Sequence, residues 1–264
     1  MRVFWVLALV VALAPAFGAE TARQILDRRQ ALDDGERHWD DRQQKLTFRI
    51  VDKRGGVRTR ELELSEKRYP NEERKSIVFF GSPPEVKGTA FLAFTHKGKS
   101  ADQWLYLPEL QRVRQITANT RNQSFVGTDL TYHDLDLLTE MTSWTEADAA
   151  SSLRPEEPVD GVACYVIELA AKREDIGYKK IVLWLGRDDL VPRRLEFFEE
   201  GAEPLKRIVQ RDIRKVGAIP VPYATKVETP AAGSSTEIAI VETKFNQKLA
   251  DDTFTQAALE QGPQ

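Results

Sequence analysis

The sequence is poor in cysteine, with one, Cys164, among its 264 residues. A single thiol forms no disulfide within the chain and no paired-cysteine motif for metal binding or redox exchange. Cys164 lies within CYVIEL, a run typical of a β-strand, where we expect a small buried side chain rather than a nucleophile. Because this cysteine is far from the N-terminus, we expect no lipid anchor on it, and any lipid that the protein handles is expected to be cargo.

The chain also lacks a marked excess of either charge. It has 38 Lys and Arg residues against 41 Asp and Glu residues, a formal net charge of −3. Nucleic-acid binding depends on clustered positive charge, which this balance does not indicate. With 41% hydrophobic and 30% charged residues, the composition is typical of a soluble globular protein. We therefore expect no nucleic-acid partner.

Patterns that carry catalysis or metal binding are missing as well. Neither Gly81-Ser82 nor Gly233-Ser234 belongs to a GxSxG nucleophile motif. Adjacent aspartates fall at turns or element ends, where they are more typical of turn formation than of an acid–base pair. The histidines are scattered without a metal-ligand spacing, at His38, His96 and His133. We therefore expect a protein that is not an enzyme and has no cofactor and no bound metal.

An apolar run at the N-terminus is too short for a membrane span. Arg2 precedes the apolar Val3–Leu13, and a proline and small residues follow. A run of about 11 apolar residues does not cross a bilayer core of ~30 Å, whereas this order is typical of a secretory signal peptide. The small residues predict cleavage after Gly18, with Ala19 as the alternative. The sequence thus predicts a signal peptide at residues 1–18, export to the periplasm and no stable membrane anchor.

No clear linker interrupts the rest of the chain. The nearest candidate, Ser151–Asp160, is short and lies between strand-like segments, so we expect one domain over residues 19–264. Thr21–Asp34 has a capping threonine and an apolar face, and it predicts a helix. A short helix capped by Asp129 is predicted through Leu138, and a turn or helix is predicted at Asp251–Leu259.

Alternation of apolar and other residues dominates the remaining sequence. Leu46, Phe48 and Ile50 occupy alternate positions, and a turn at Asp52–Gly56 leads into a second alternating segment. Together with these two, the chain has about twelve such strands without intervening helices, which excludes a parallel βαβ architecture. The predicted fold class is mainly β, with one large antiparallel sheet. The other strand candidates are Val57–Tyr69, Ser76–Gly81, Gly88–His96, Gln103–Leu107, Arg112–Thr117, Ala163–Ala170, Lys179–Leu185, Arg193–Glu199, Leu205–Val216, Tyr223–Thr229 and Ser235–Asn246.

Residues 102–135 are the most informative about function. Trp104, Tyr106 and Phe125 are large aromatics beside short turns. Arg112 and Arg114 are two positions apart and hence on one face of a strand. One interpretation is a hairpin with a core face and a solvated basic face. The other is an apolar concavity with aromatic walls and cations near its mouth, suited to an amphiphile with an acidic or zwitterionic head.

The same segment carries a family resemblance. WLYLPELQRVRQI, followed by SFVGTDLTYHDL, closely resembles the signature of LolA-like outer-membrane lipoprotein-sorting proteins, in the branch often found beside RND-type exporters. The run KKIVLWLGRDDLVPRRLEFFEEGAEPLKRI resembles a later block of that family, so the match spans most of residues 45–255. Typical LolA carriers are shorter and lack the WLYLP block. The resemblance implies an incomplete antiparallel β-barrel, closed on one side by helices, around an apolar cavity.

The resemblance also implies a function. It indicates a periplasmic, non-enzymatic carrier or chaperone that binds a lipid or lipoprotein acyl chain for outer-membrane sorting. The alternatives are a periplasmic regulatory sensor and an accessory subunit of an RND-type exporter that binds an amphiphile. The expected partners are a lipid or lipoprotein cargo and an inner-membrane transporter of the RND or ABC type. The helices at Thr21–Asp34 and Asp129–Leu138 are the expected lid.

Inward-facing aromatics supply the candidate ligand-binding residues, and each of them equally fits an ordinary sheet core. The candidates for the cavity wall are Phe48, Phe79, Phe91, Trp104, Tyr106, Trp184 and Phe197. Arg112 and Arg114 are the candidate head-group contacts.

Overall fold

The alternating segments of the sequence form the strands of one antiparallel sheet. The structure, a computed structural model, describes residues 20–263, so the predicted signal peptide at 1–18 lies outside the described residues. No helix among residues 20–263 is long and apolar enough to span a membrane. The strands described are β1 (Asp41–Val51), β2 (Val57–Arg68), β3 (Arg74–Ser82), β4 (Ala90–His96), β5 (Lys99–Leu107), β6 (Arg112–Gln115), β7 (Ala149–Arg154), β8 (Cys164–Ala171), β9 (Lys180–Gly186), β10 (Pro192–Phe198), β11 (Lys206–Val216), β12 (Ile219–Thr229) and β13 (Ser234–Phe245).

The sheet consists of two meanders that join at one seam. Strands β1 to β6 lie side by side in chain order, and so do β7 to β13. At the seam β1 pairs with β13, from Arg42 opposite Phe245 to Val51 opposite Ser235. Strands β6 and β7 are the two edges, so the sheet does not close on itself. The predicted mainly β fold, an incomplete antiparallel barrel, is confirmed.

One strand of the described chain was not predicted. Strand β7 has the sequence AASSLR, in which four of the six residues are small and only the first is buried, so no alternation marks it. It pairs with β8 from Ala149 opposite Ala171 to Arg154 opposite Val166. The segment Ser151–Asp160, considered as a linker, therefore begins as part of an edge strand.

The predicted N-terminal helix is confirmed as α1 (Ala22–Asp34). It begins with a capping box, in which the Thr21 hydroxyl accepts from the backbone N–H of Gln24 and the Gln24 side chain accepts from the backbone N–H of Thr21 at 2.8 Å. This exchange satisfies two N–H groups that otherwise lack partners at a helix start. Gly35 ends the helix, and its N–H donates to the carbonyl of Ala31 at 3.0 Å.

The predicted mid-chain helix is shorter than expected, and the C-terminal segment contains both a turn and a helix. Helix α2 (Tyr132–Glu140) begins three residues after Asp129, because Thr131 rather than Asp129 forms its capping box. At the C-terminus a 3₁₀ turn (Asp251–Phe254) precedes the short helix α3 (Gln256–Gln261).

Helices α1 and α2 pack against one face of the sheet, here called the inner face. Ile25 of α1 and Leu137 of α2 belong to a large buried cluster on the second meander. Tyr132 of α2 belongs to a second cluster on the first meander, together with Phe48 and Phe91. The two helices therefore cover the inner face across both meanders.

The opposite face, here called the outer face, carries buried apolar clusters of its own. Leu92 packs beneath Leu259 of α3 in one of them. Cys164 and Trp184 belong to another. Cys164 is fully buried, and burial raises the pKa of its thiol. Both faces of the sheet thus hold apolar side chains.

Candidate functional site

The segment between β6 and α2 folds over the inner face through an aromatic cluster, here called the aromatic plug. Phe125 lies at its centre and is 2% exposed. Its ring neighbours, with centroid distances, are Phe80 at 5.8 Å, Phe91 at 5.2 Å and Tyr132 at 5.6 Å. Tilted and edge-on pairs of this kind suit the quadrupoles of the rings. The plug therefore holds this segment against the first meander.

Asp129 ties the same segment to the turn between β12 and β13. Its backbone N–H donates to Oγ1 of Thr236 at 2.9 Å. Its carboxylate accepts hydrogen bonds from the hydroxyls of Thr229 at 2.8 Å, Ser234 at 2.5 Å and Thr236 at 2.7 Å. Three hydroxyl donors satisfy much of the acceptor capacity of a carboxylate. This end of the inner face is thereby covered.

From that end α2 crosses the inner face, where buried polar side chains hold it. Asp134 forms an ion pair with the buried Lys206 and accepts a hydrogen bond from the hydroxyl of Tyr178 at 2.6 Å. His133 Nε2 lies 2.8 Å from the carbonyl oxygen of Ile176. Burial and the neighbouring Asp134 carboxylate raise the pKa of Tyr178, so its phenol stays a donor. These contacts fix α2 to the second meander.

Helix α2 is also fixed to the first meander. Asp136 Oδ2 accepts a hydrogen bond from the backbone N–H of Ala101 in β5 at 2.9 Å. Burial raises the pKa of Asp136, although this N–H and Arg121 act against the shift. Helix α2 therefore bridges the two meanders as a strap.

Between α2 and the sheet lies a forked cavity of three adjoining spaces, all of which Leu138 of α2 lines. The first branch, of about 210 Å³, has apolar walls that include Phe48 and Phe91. The second branch, of about 220 Å³, has walls that include Leu183 and Ile208. Both adjoin a wider space of about 420 Å³, here called the vestibule. Together they have the size and apolar lining of a small-molecule site.

The vestibule is more polar than the two branches, because charged side chains line it beside apolar ones. Five arginines and two carboxylates line it: Arg29, Arg37, Arg42, Arg68 and Arg74, with Asp33 and Glu66. Burial alone would raise the pKa of Glu66, but the adjacent Arg42 and Arg74 hold that pKa below its ordinary value. Arg42 Nη2 lies 2.7 Å from Glu66 Oε2. The open end of the forked cavity is thus cationic.

Comparisons with known proteins agree with this architecture. A family model described as "-like: Uncharacterized protein" matches residues 72–261. A protein domain from Vibrio parahaemolyticus, named for outer membrane lipoprotein sorting, is 25% identical with a TM-score of 0.81, and the match covers 90% of this chain and 98% of that one. A LolA superfamily protein from Nitrosomonas europaea is 21% identical with a TM-score of 0.67, covering 91% of this chain and 100% of that one. The chain belongs to the family that this model describes, and its fold is LolA-like.

Another solved structure shares the LolA-like fold. A DUF1329 family protein from Desulfovibrio piger is 24% identical with a TM-score of 0.82, and the match covers 91% of this chain and 100% of that one. No curated protein matches this sequence. Within residues 20–263 of this LolA-like chain, no group of three or more His, Cys, Asp and Glu side chains is arranged to hold a metal ion.

The aromatics predicted to line the cavity of this LolA-like chain lie on both faces of its sheet. On the inner face, Phe48 and Phe91 line the first branch, and Phe197 lies in the buried cluster of the second meander. The structure places the other four in outer-face clusters, away from the forked cavity: Phe79, Trp104 and Tyr106 near α3, and Trp184 beside Cys164. Phe79 also lines an outer-face groove of about 490 Å³.

Strand β5 shows why the aromatic side chains divide in this way. Gln103 points inward, where its Nε2 donates to the backbone carbonyl of Tyr132 at 3.0 Å. Leu105 packs with the inner cluster of the first meander. Trp104 and Tyr106 occupy the alternate positions and therefore point outward. Alternation predicts which residues share a face of the sheet. It does not predict which face is the inner one, because both faces carry apolar clusters.

The predicted head-group contacts lie at the edge of this LolA-like sheet. Arg112 and Arg114 are exposed on β6, opposite Leu107 and Leu105, so they share the inward side of that edge strand. They are not among the residues that line the forked cavity. The cations that do line it come from α1, β1, β2 and β3 and from the turn after α1. No local motif marks them, because only the packing of α1 and the strand register bring them together.

Proposed function

We propose that this LolA-like protein is a periplasmic, non-enzymatic carrier that holds the acyl chains of a lipid or lipoprotein in the forked cavity for sorting to the outer membrane. The observation that carries this proposal is the pair of apolar branches behind the strap α2. The proposal includes a signal peptide at residues 1–18, one domain over 19–264 and an inner-membrane transporter of the RND or ABC type as the source of cargo. Phe48 and Phe91 are the proposed aromatic walls.

The free energy of acyl-chain burial supports such a division of the cavity. Transfer of an acyl chain from water is worth roughly 0.8 kcal/mol per CH₂, or on the order of 10 kcal/mol for about 15 carbons. Two chains buried completely in one apolar tunnel would bind too tightly for release to a second membrane. Two short branches that open into a polar vestibule bury only part of each chain. A carrier with this geometry keeps cargo in solution and still releases it.

Native mass spectrometry tests the proposal on protein purified without detergent. We expect a population with bound lipid, and uptake of a fluorescent fatty acid after delipidation. A spectrum that is entirely ligand-free, together with no uptake of the fluorescent fatty acid, would contradict the carrier function. A stable complex with the periplasmic domain of a membrane protein, without lipid transfer between vesicles, would favour the regulatory sensor instead.

Leu138→Trp is expected to weaken binding of the fluorescent fatty acid by about tenfold or more, equivalent to about 1.4 kcal/mol. Leu138 lines both branches and the vestibule, so an indole at this position fills the space where they adjoin. A fluorescence titration measures the change in Kd. Leu153→Trp is the matched control, because Leu153 is 42% exposed on the edge strand β7. Equal affinities of the two variants would place the acyl chain elsewhere.

A further inference from the structure

The vestibule holds more positive than negative charge in a partly buried space. Its five arginines face two carboxylates, Asp33 and Glu66. Glu66 forms ion pairs with two of these arginines, Arg42 at 2.7 Å and Arg74 at 3.7 Å. Asp33 lies 3.5 Å from Arg29. The carboxylates of the vestibule therefore do not balance its guanidinium groups.

Arg68 shows how this excess charge is accommodated. Its guanidinium lies over the ring of Trp39, 4.5 Å from the centroid, and its Nη1 donates to the backbone carbonyl of Asp33 at 3.4 Å. Neither partner is a carboxylate. Burial, followed by the nearby Arg74, lowers the pKa of Arg68 to about 10, although the carboxylates of Glu66, Asp34 and Asp33 nearby act against this shift. An anion in the vestibule would relieve this repulsion and supply charged hydrogen-bond acceptors.

The vestibule also adjoins both apolar branches. Arg29 lines the vestibule and the second branch, whereas Arg42 lines the vestibule and the first. The two branches are nearly equal in volume, at about 210 and 220 Å³. A ligand with one tail in each branch therefore has its head among the arginines. A bidentate guanidinium geometry suits the oxygens of a phosphate.

We propose that the vestibule binds the phosphate head of an anionic lipid that carries two acyl chains. This inference rests on the proposed carrier function and adds the class of its cargo. It assigns the head-group contacts to Arg29 and Arg68, within the cavity, rather than to Arg112 and Arg114 on the edge strand. A neutral lipid with the same tails fills the branches but adds no negative charge to the vestibule.

The test uses delipidated protein and displacement of the bound fluorescent fatty acid by water-soluble short-chain lipids. We expect dioctanoyl phosphatidylglycerol to bind about tenfold more tightly than dioctanoylglycerol, because charge-assisted hydrogen bonds to its phosphate add to the same burial of tails. Raising the salt concentration is expected to narrow this difference. Inorganic phosphate is titrated separately and is expected to displace the probe only weakly.

The variants assign the preference to particular residues. Arg29→Gln and Arg68→Gln are each expected to reduce the ratio of the affinity for phosphatidylglycerol to that for dioctanoylglycerol severalfold, mainly through weaker binding of phosphatidylglycerol. Arg29→Lys is expected to retain part of the preference because it keeps the charge. Arg28→Gln is the matched control on the same helix, since Arg28 is 46% exposed and pairs with Glu20. Urea unfolding of each variant separates loss of binding from loss of folding.

Several outcomes overturn the inference. Equal affinity for the two lipids removes the head-group site but leaves the carrier function standing, whereas failure of every lipid and of the fatty acid contradicts the carrier function itself. If inorganic phosphate displaces the fluorescent fatty acid at the same concentrations as the lipids do, the arginines form a site for a free anion rather than for a lipid head group. If the Arg112→Gln, Arg114→Gln double variant loses the preference for phosphatidylglycerol and Arg29→Gln keeps it, the head group binds at the edge strand instead.

Discussion

Lys206→Met is expected to lower the free energy of unfolding by about 3–5 kcal/mol, the usual cost of leaving one member of a buried ion pair without its partner. The side chains of Lys206 and Asp134 are 7% and 2% exposed. Methionine has a similar length but no charge, so the Asp134 carboxylate keeps only its hydrogen bonds from Tyr178 and the start of α2. Urea unfolding followed by tryptophan fluorescence measures the loss.

Two further variants separate charge from packing at this site. Lys226→Met is the control, because Lys226 pairs with Glu228 at 2.7 Å while 36% exposed, and its loss should cost less than about 1 kcal/mol. A double variant that also carries Asp134→Leu removes both charges and should recover part of the lost stability. If Lys206→Met were no more destabilising than Lys226→Met, the pair would not be what holds α2 to the sheet.

Phe125→Ala is expected to cost about 3–5 kcal/mol, as is usual when a buried aromatic ring is truncated. The ring has aromatic neighbours on three sides in the aromatic plug and also lines the first branch. Its removal therefore lowers stability and enlarges that branch. We expect the folded variant to bind longer or bulkier acyl chains relative to short ones than the original protein does. Unfolding in urea and a chain-length series of fatty acids measure the two effects.

The matched control for this truncation lies on the other face of the sheet. Phe94 packs edge-on against Trp104 with ring centroids 5.1 Å apart, in contact with the outer-face cluster. Phe94→Ala should lower stability while leaving chain-length preference unchanged. If the chain-length preference changed in both variants, the cause would be the lower stability of the fold rather than the enlarged first branch.

The sequence predicted the sheet and α1 because their causes are local. Alternation at Leu46, Phe48 and Ile50 reports a pleated strand with one buried face, and Thr21 with Gln24 reports a helix start. Strand β7 escaped prediction because an exposed edge made of AASSLR needs no apolar alternation. Long periodic segments were therefore easier to predict than a short edge.

The candidate site was harder to predict because its parts meet only in three dimensions. Arg29, Arg42 and Arg68 lie on three different elements, and each alone resembles a solvated surface residue. The sequence also did not show which of the two alternating sets of side chains faces the cavity. Trp104 and Tyr106 are large aromatics of the kind expected in a cavity wall, yet they pack in an outer-face cluster. The motif that contains Phe125 and Asp129 stands out in the sequence, and in the structure both residues fasten their segment to the sheet.

The seam between β1 and β13 has a consequence for how the chain reaches this fold. Every other strand pairing joins neighbours in sequence, whereas Asp40 and Asn246, hydrogen-bonded beside the seam, are 206 positions apart. A hairpin closes a short loop and therefore forms quickly. Pairing of β1 with β13 instead closes a loop that contains most of the chain, and this costs more conformational entropy. We expect each meander to gain protected amides before the seam does, and pulsed hydrogen exchange during refolding measures that order. A growing chain therefore cannot complete its sheet until its last strand has been made.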